Sequence, residues 1–388
     1  MNASLLVAVA FIATFFRVKS QPEITVLDSY PIATLVRHLR EQFVRSLGPS
    51  SEDIYKLKLN LKLGKLQKQF PPYETFPCNE TIMRSATVPE SVHTLRPGDI
   101  DIVGALGDSL TAANGAMATQ ITEVFIENRG LSWSIGGQGT WRQFLTIPNI
   151  LKEFNPKLYG YSIADGSAFQ RLSRFNVAET GAMTQDLPFQ AKNLVKRMLS
   201  DLKVDVKNHW KLITILIGDN DFCSNMCYLK NPEQILTNHE HNLISTLRIL
   251  RDYLPRTMVN MFGNLRNFQA HMKTKLNKIM LTWNELQRNV TEREEFNNRS
   301  DFIVNYQPFG EEITIPRMKS GSSDFSYLSL DCFHFSQKGY ATAANALWSN
   351  MLEPEGQKTN EPRYEFDMIR CPSQKRPYLM TRENSRMH

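Results

Sequence analysis

No run of this 388-residue chain reaches the roughly 18 consecutive apolar residues of a spanning helix. The nearest approach is the 12 residues at 5–16, LLVAVAFIATFF. A dense basic block is also missing. The 45 Lys and Arg exceed the 39 Asp and Glu by only six, and the excess is spread along the chain, which argues against a nucleic-acid footprint. Cysteine is scarce, and the CxxxC of Cys223 and Cys227 has neither a second pair nor a suitably spaced His, so no zinc framework is present. The Gly-rich GGQG at 136–139 lacks the GxxxxGK[S/T] of a phosphate cradle. Hydrophobic residues at 41% with 19 Gly and 19 Pro exclude collagen-like and wholly disordered chains.

The short apolar run lies where the core of a secretion signal would be, with Val18 and Ser20 supplying small residues for cleavage after position 20. Arg17 and Lys19 stand unusually close to that point, and no Lys or Arg precedes the run. The expectation is a secreted chain with residues 1–20 removed. The polar end RPYLMTRENSRMH argues against a lipid-anchor signal. Three sequons, at Asn79, Asn289 and Asn298, would accept glycans in that compartment, where cysteines also tend to pair. Five cysteines leave one over and allow fifteen patterns, found by choosing the odd one and pairing the rest. The preferred pattern joins Cys78 to Cys371 as a staple between the ends of the main domain, joins Cys223 to Cys227, and leaves Cys332 free.

Beyond the signal, residues 29–70 show helical spacing (Ile32, Leu35, Val36, Leu39, Phe43, Val44, Leu47) broken by GPSS at 48–51. Residues 21–75 therefore read as a helical prelude or former pro-segment. After the Pro-rich PPYETFP at 71–77 the pattern changes, and the main domain is placed at 76–381 with a polar tail at 382–388. Strands are expected at 100–106, 211–217, 257–262 and 302–306, and helices at 112–127, 188–202, 233–253, 270–290 and 338–352. This alternation predicts an α/β fold with a central parallel sheet covered by helices on both faces.

Chemistry gathers at the strand ends. The strand at 100–106 runs into Gly107-Asp108-Ser109-Leu110-Thr111, which presents Ser109 at a carboxyl edge and a helix start, a geometry that suits a nucleophile as well as a plain helix cap. A serine hydroxyl needs a base. His334, in Asp331-Cys332-Phe333-His334 before the last helix, is the candidate, with Asp331 placed to hold its imidazole. Asn220 follows the strand at 211–217, where an Asn is ordinarily a turn residue and becomes an oxyanion donor only if it faces the same cleft. Gly181, by itself, signals nothing. His239 and His241 read as solvated surface, Asp108 as a cap or a hydrogen-bond partner behind Ser109 without a catalytic role, and Trp133 and Trp141 as core in preference to an acyl groove or a lipid-facing surface.

Taken together, the blocks GDSLT, NVAETGAMT, GDND and DCFH resemble the GDSL or SGNH family of serine hydrolases, and no GxSxG elbow is present. The stretches VHTLRPGDIDIVGALGDSLTAANGA, GLSWSIGGQGTW, TIPNILKEFNP, DCFHFSQKGY and ALWSNMLEPEGQKT resemble that family's phospholipase B branch over roughly residues 76–381. Ala178 replaces a Gly common in the family, and Asp219 stands where relatives often have Gly. The resemblance implies a flavodoxin-like α/β/α sandwich and a triad of Ser109, His334 and Asp331. It also implies an oxyanion hole from the Ser109 and Gly181 N–H groups with the Asn220 side chain, and a mechanism that needs no metal or organic cofactor. The implied substrate is a phospholipid or lysophospholipid, met at a membrane or micelle surface. A general carboxylesterase or neutral lipase on the same triad, and a non-catalytic secreted lipid-binding protein spoiled by Asp219, are the rival readings.

Overall fold

The four apolar runs rich in β-branched residues form four strands in the computed structural model of the chain, which describes residues 30–48, 50–78, 84–225, 229, 231–263, 274–360 and 369–386. The expected signal at 1–20 lies outside these residues, as do Asn79 and Cys227. The strands are β1 (Ile100–Gly107), β2 (Trp210–Leu216), β3 (Thr257–Phe262) and β4 (Phe302–Gln307). They lie side by side in sequence order, all parallel. Nearly every residue in them is buried, which is why they read as continuous apolar runs and not as alternating ones.

Alternation decides which layer each side chain joins. Ile100, Val103, Leu212, Met258 and Ile303 meet α4 (Ile147–Phe154) and α8 (Gln337–Met351) in one core, together with Trp348 and Tyr340. Ile102, Leu106, Ile213, Val259 and Val304 meet α5 (Leu187–Ser200) and α6 (Gln234–Tyr253) in the other. The result is the α/β/α sandwich expected from the sequence. A further helix, α7 (Thr274–Thr291), packs Trp283 against Phe222 and Ile235 in a third, smaller cluster.

Beyond β1 the chain adds an irregular edge. Val103 N–H donates to Tyr159 O, Ala105 N–H to Phe175 O, Val177 N–H to Ala105 O, and Glu179 N–H to Gly107 O. Residues 175–179 thus run parallel to β1 and deliver Gly181 to the same strand end as Ser109. Only single bridges form there, so the sequence gives no strand signal.

One expected helix is corrected. Over 112–127 the chain forms α3 (Ser109–Ala112), a single turn, and later a short 3₁₀ segment at Ile121–Phe125. The cause is local: Ala113 is left-handed at φ +58°, and Gly115 follows at φ +63°. A Cβ on Gly115 would meet Ser329 Oγ at 2.7 Å, so this glycine also allows the loop that carries His334 to approach.

The N-terminal helices α1 (Tyr30–Leu47) and α2 (Ile54–Lys62) rest on the sandwich. Asp53 caps α2 by accepting the N–H groups of Tyr55 and Lys56. Buried Asn60 donates to Met117 O at 3.1 Å, and the Ser50 and Ser51 N–H groups donate to one oxygen of Asp165. Cys78 is bonded to Cys371, as expected, across 293 residues. Cys332 is unpaired and exposed. The expected partner of Cys223 lies outside the described residues.

Candidate active site

The turn after β1 is shaped by a close approach. Gly107 has φ +149°, and a Cβ there would meet Leu216 O at 2.4 Å and Thr111 Oγ1 at 2.6 Å. Its peptide groups are gripped by Gln190, whose Oε1 accepts the Gly107 N–H at 2.8 Å and whose Nε2 donates to Gly107 O at 2.9 Å. Asp108 then caps α3, with its Oδ1 accepting the Leu110 N–H at 2.9 Å. Ser109 is thereby fixed, largely buried, as the first residue of that turn.

Facing this turn, Leu328 and Phe335 bridge the base of a short loop. Asp331 Oδ1 accepts the N–H groups of Phe333 and His334, both at 3.1 Å, folding the loop back on itself. Its Oδ2 lies 2.5 Å from His334 Nδ1, and His334 Nε2 lies 2.8 Å from Ser109 Oγ. Ser329 ties the loop down, its N–H donating to His334 O and its Oγ to Gly115 O, each at 2.7 Å. Burial pushes the Asp331 carboxyl up, but the His334 hydrogen bond and charge, with the Phe333 and His334 N–H groups, outweigh it and hold the pKa below its ordinary value. A carboxylate that keeps Nδ1 protonated leaves Nε2 as the acceptor for a serine proton.

The sequence-derived donors approach the same strand ends. Asn220 Nδ2 donates to Ala182 O at 2.9 Å, which ties the turn after β2 to the segment holding Gly181 and leaves the second amide hydrogen uncommitted by this bond. Gly181 is left-handed at φ +81° with open space where a Cβ would lie, so backbone conformation and not lack of room favours glycine at this position. Among the described residues no protein acceptor takes its N–H.

Three carboxyls act on one another at these strand ends. Asp108 is fully buried, and burial first, then the charges of Asp219 and Asp221, push its pKa well above the usual carboxylate range. Burial likewise pushes Asp221 up to about 7, although its Oδ2 accepts from Thr184 N and Oγ1. Asp219 has one buried carboxyl oxygen and acts on Asp108 from close by.

His239, read from sequence as solvated, is in fact wholly buried. Its ring stacks on Trp283 with centroids 3.5 Å apart, its Nδ1 lies 3.0 Å from Thr184 Oγ1, and burial drops its pKa to about 3. The partners sit 44 and 55 positions away, so no local pattern announced them. His241, two residues on, is exposed. Trp133 packs edge-on to Phe262 and Phe309, and Trp141 meets Phe70 and Phe76, so both tryptophans belong to the core.

The sequence also missed a buried ionic group beside Gly181. Arg129 donates to Glu127, to Asn176 O at 3.2 Å and to Ala178 O at 2.6 Å, while Arg40 donates to Thr180 O at 3.1 Å and to Glu127 at 2.8 Å.

Comparison with known proteins matches this architecture. The sequence model of the GDSL-like Lipase/Acylhydrolase family fits residues 103–347. The chain is 39% identical over 335 residues to human phospholipase B1, membrane-associated, and 38% identical over 333 residues to the rat protein of that name. Each match takes in 78% of this chain but only 22% and 23% of those relatives, so the chain spans under a quarter of their length. The chain therefore belongs to the GDSL-like lipase/acylhydrolase family of serine ester hydrolases, in the branch that holds phospholipase B1.

Proposed function

We propose that the chain is a secreted lipid ester hydrolase of phospholipase B type, with phospholipase A and lysophospholipase activity, working through an acyl-serine intermediate. The observation that carries the reading is the contiguous line from Asp331 through His334 to Ser109, at 2.5 Å and 2.8 Å. In this reading Ser109 Oγ attacks the ester carbonyl carbon while its proton passes to His334 Nε2. The oxyanion is held by the Ser109 and Gly181 N–H groups and the Asn220 amide. The proton then goes to the departing alcohol, the acyl group stays on Ser109, and a water activated by His334 releases it as the acid. Asp331 keeps the imidazole in the tautomer that accepts at Nε2 and stabilises the imidazolium.

The branch relationship supports a phospholipid or lysophospholipid as substrate, met at a lipid surface. The apolar run at 5–16 and the exposed sequon residues Asn289 and Asn298 support secretion and glycosylation.

The test is fatty-acid release from phosphatidylcholine, lysophosphatidylcholine and a short-chain soluble ester by the secreted wild type, Ser109→Ala and Asp331→Ala. Phospholipid turnover by the wild type is expected, with kcat reduced about a millionfold in Ser109→Ala and about ten-thousandfold in Asp331→Ala. Turnover of the short ester alone would replace the phospholipase reading with the general esterase. A folded wild type that binds lipid without turning over any of the three would leave a binding protein.

A further inference from the structure

The peptide between Thr180 and Gly181 has its oxygen in one group's grip and its N–H pointed the other way. In a trans peptide the C=O and the following N–H are antiparallel, so fixing the carbonyl direction fixes the N–H direction. The Thr180 carbonyl is held at 3.1 Å by Arg40 Nη1, from a helix 140 residues upstream. The same guanidinium puts Nη2 on Glu127 Oε1 at 2.8 Å. Glu127 is itself fastened to Arg129, which is wholly buried and grips the Asn176 and Ala178 carbonyls. Alternate carbonyls of the segment, at 176, 178 and 180, thus end on two guanidiniums that share one carboxylate. The Thr180 hydroxyl, with one hydrogen to give, lies 2.8 Å from Asn114 Oδ1 and 2.9 Å from Glu127 Oε1.

We propose that Arg40 is a positioning residue for acyl transfer: by clamping the Thr180 carbonyl to the Glu127–Arg129 pair, it aims the Gly181 N–H at the developing oxyanion. This rests on the acyl-serine reading above. Two effects act together. The fork geometry of arginine, unlike the point charge of lysine, satisfies a carbonyl and a carboxylate at once. A cation on the peptide oxygen also polarises the amide and strengthens its N–H as a donor. Arg129 holds the two earlier carbonyls but leaves the last peptide to Arg40. Helix α1, read from sequence as prelude or former pro-segment, becomes by this assignment a working part of the catalytic apparatus.

Arg40 retains some solvent exposure, with 19% of its side chain accessible, so Arg40→Ala and Arg40→Met are suitable variants of the full chain. Three readouts separate aiming from mere support. Steady-state kinetics on a soluble ester, normalised to sites titrated with a fluorophosphonate, should show kcat about ten- to a hundredfold lower with KM within about twofold of wild type. Low millimolar guanidinium ion should restore part of the kcat of Arg40→Ala and leave the wild type unchanged. Amide hydrogen exchange over residues 178–182 should be faster in both variants, whether or not any ester is turned over.

Unchanged kcat per titrated site together with unchanged exchange would overturn the proposal, as would a loss wholly explained by fewer active sites. A wild type that hydrolyses no ester would instead sink the acyl-serine reading. The exchange measurement would then decide the Arg40 clamp on its own.

Discussion

Ser109 follows a fully buried carboxyl on which two further carboxyls act, which raises the question of which of them carry charge. Asp108 is driven toward the neutral acid chiefly by burial, and the hydrogen bonds from the Leu110 N–H and its own N–H are too little to reverse that. Asp221 is balanced more finely: burial and the charge of Asp186 raise it, two bonds from Thr184 lower it, and the outcome is about 7. Because that lies above the ordinary 3.8, the folded state holds more protons than the unfolded state across the interval between them. Stability from this group is therefore full below about pH 4 and is lost as pH rises through about 7, by an amount on the order of a few kcal/mol. Asp221→Asn keeps an acceptor for the Thr184 N–H while removing the charge. Its thermal midpoint should fall less than that of the wild type between pH 5 and pH 8, an interval that takes in most of the window from 3.8 to about 7 over which the extra proton of the folded state is lost. Parallel pH profiles for the two proteins would show that Asp221 is ionised throughout, or that its charge is met by a group closer than those named.

At the scale of elements, what could be read from sequence was whatever depended on neighbours along the chain. The four strands declare themselves because both sheet faces are covered, and the Asp331–His334 pair declares itself because a three-residue return loop needs only local geometry. The expected helix at 112–127 fails on a pair of left-handed residues, Ala113 and Gly115, although Asn-Gly at 114–115 is a turn signal that could have marked the break. Nothing local, by contrast, predicts that Arg40 reaches Thr180, or that Gln67 becomes a buried node. Gln67 Oε1 accepts from Leu145 N–H at 2.6 Å and from Gln337 Nε2 at 3.0 Å, its Nε2 donates to Trp141 O at 3.0 Å, and its N–H donates to Gln337 Oε1 at 2.8 Å. These bonds join the segment before residue 76 to both the Trp141 turn and helix α8. Gln67→Ala would strand the buried partners at Leu145, Trp141 and Gln337. The expected loss is about 3 kcal/mol, seen as a lower urea midpoint with an unchanged slope. A midpoint equal to wild type would mean that residues 50–70 contribute little to the fold, and would favour the sequence reading of 21–75 as a former pro-segment.

For the molecule as a whole, the four-stranded sheet is built in sequence order, and the segments just before β1 and after α8 are joined to each other by other means. After α8 the chain runs back so that Leu379 N–H donates to Leu95 O, and Asn384, buried near the C-terminus, donates to His93 O at 2.8 Å. The Cys78–Cys371 bond closes nearly the same circuit covalently, across 293 residues, and Trp348 Nε1 donates to Arg370 O beside it at 2.6 Å. A link across so long a loop removes chain entropy from the unfolded state, worth on the order of 5 kcal/mol by loop-closure reasoning. The hydrogen bonds of Leu379, Asn384 and Trp348 hold the same circuit without a covalent link. The paired substitution Cys78→Ser with Cys371→Ser should therefore yield a folded protein with wild-type kcat on a soluble ester. Its denaturation midpoint in urea should be much lower, and the loss should match that caused by reducing the wild type. A loss of kcat in the folded variant would mean instead that the staple shapes the surroundings of Ser109 and His334. The bond lies among the side chains packed on α8, the helix that follows directly from the His334 loop, so that outcome would trace to movement of α8 and of His334 with it.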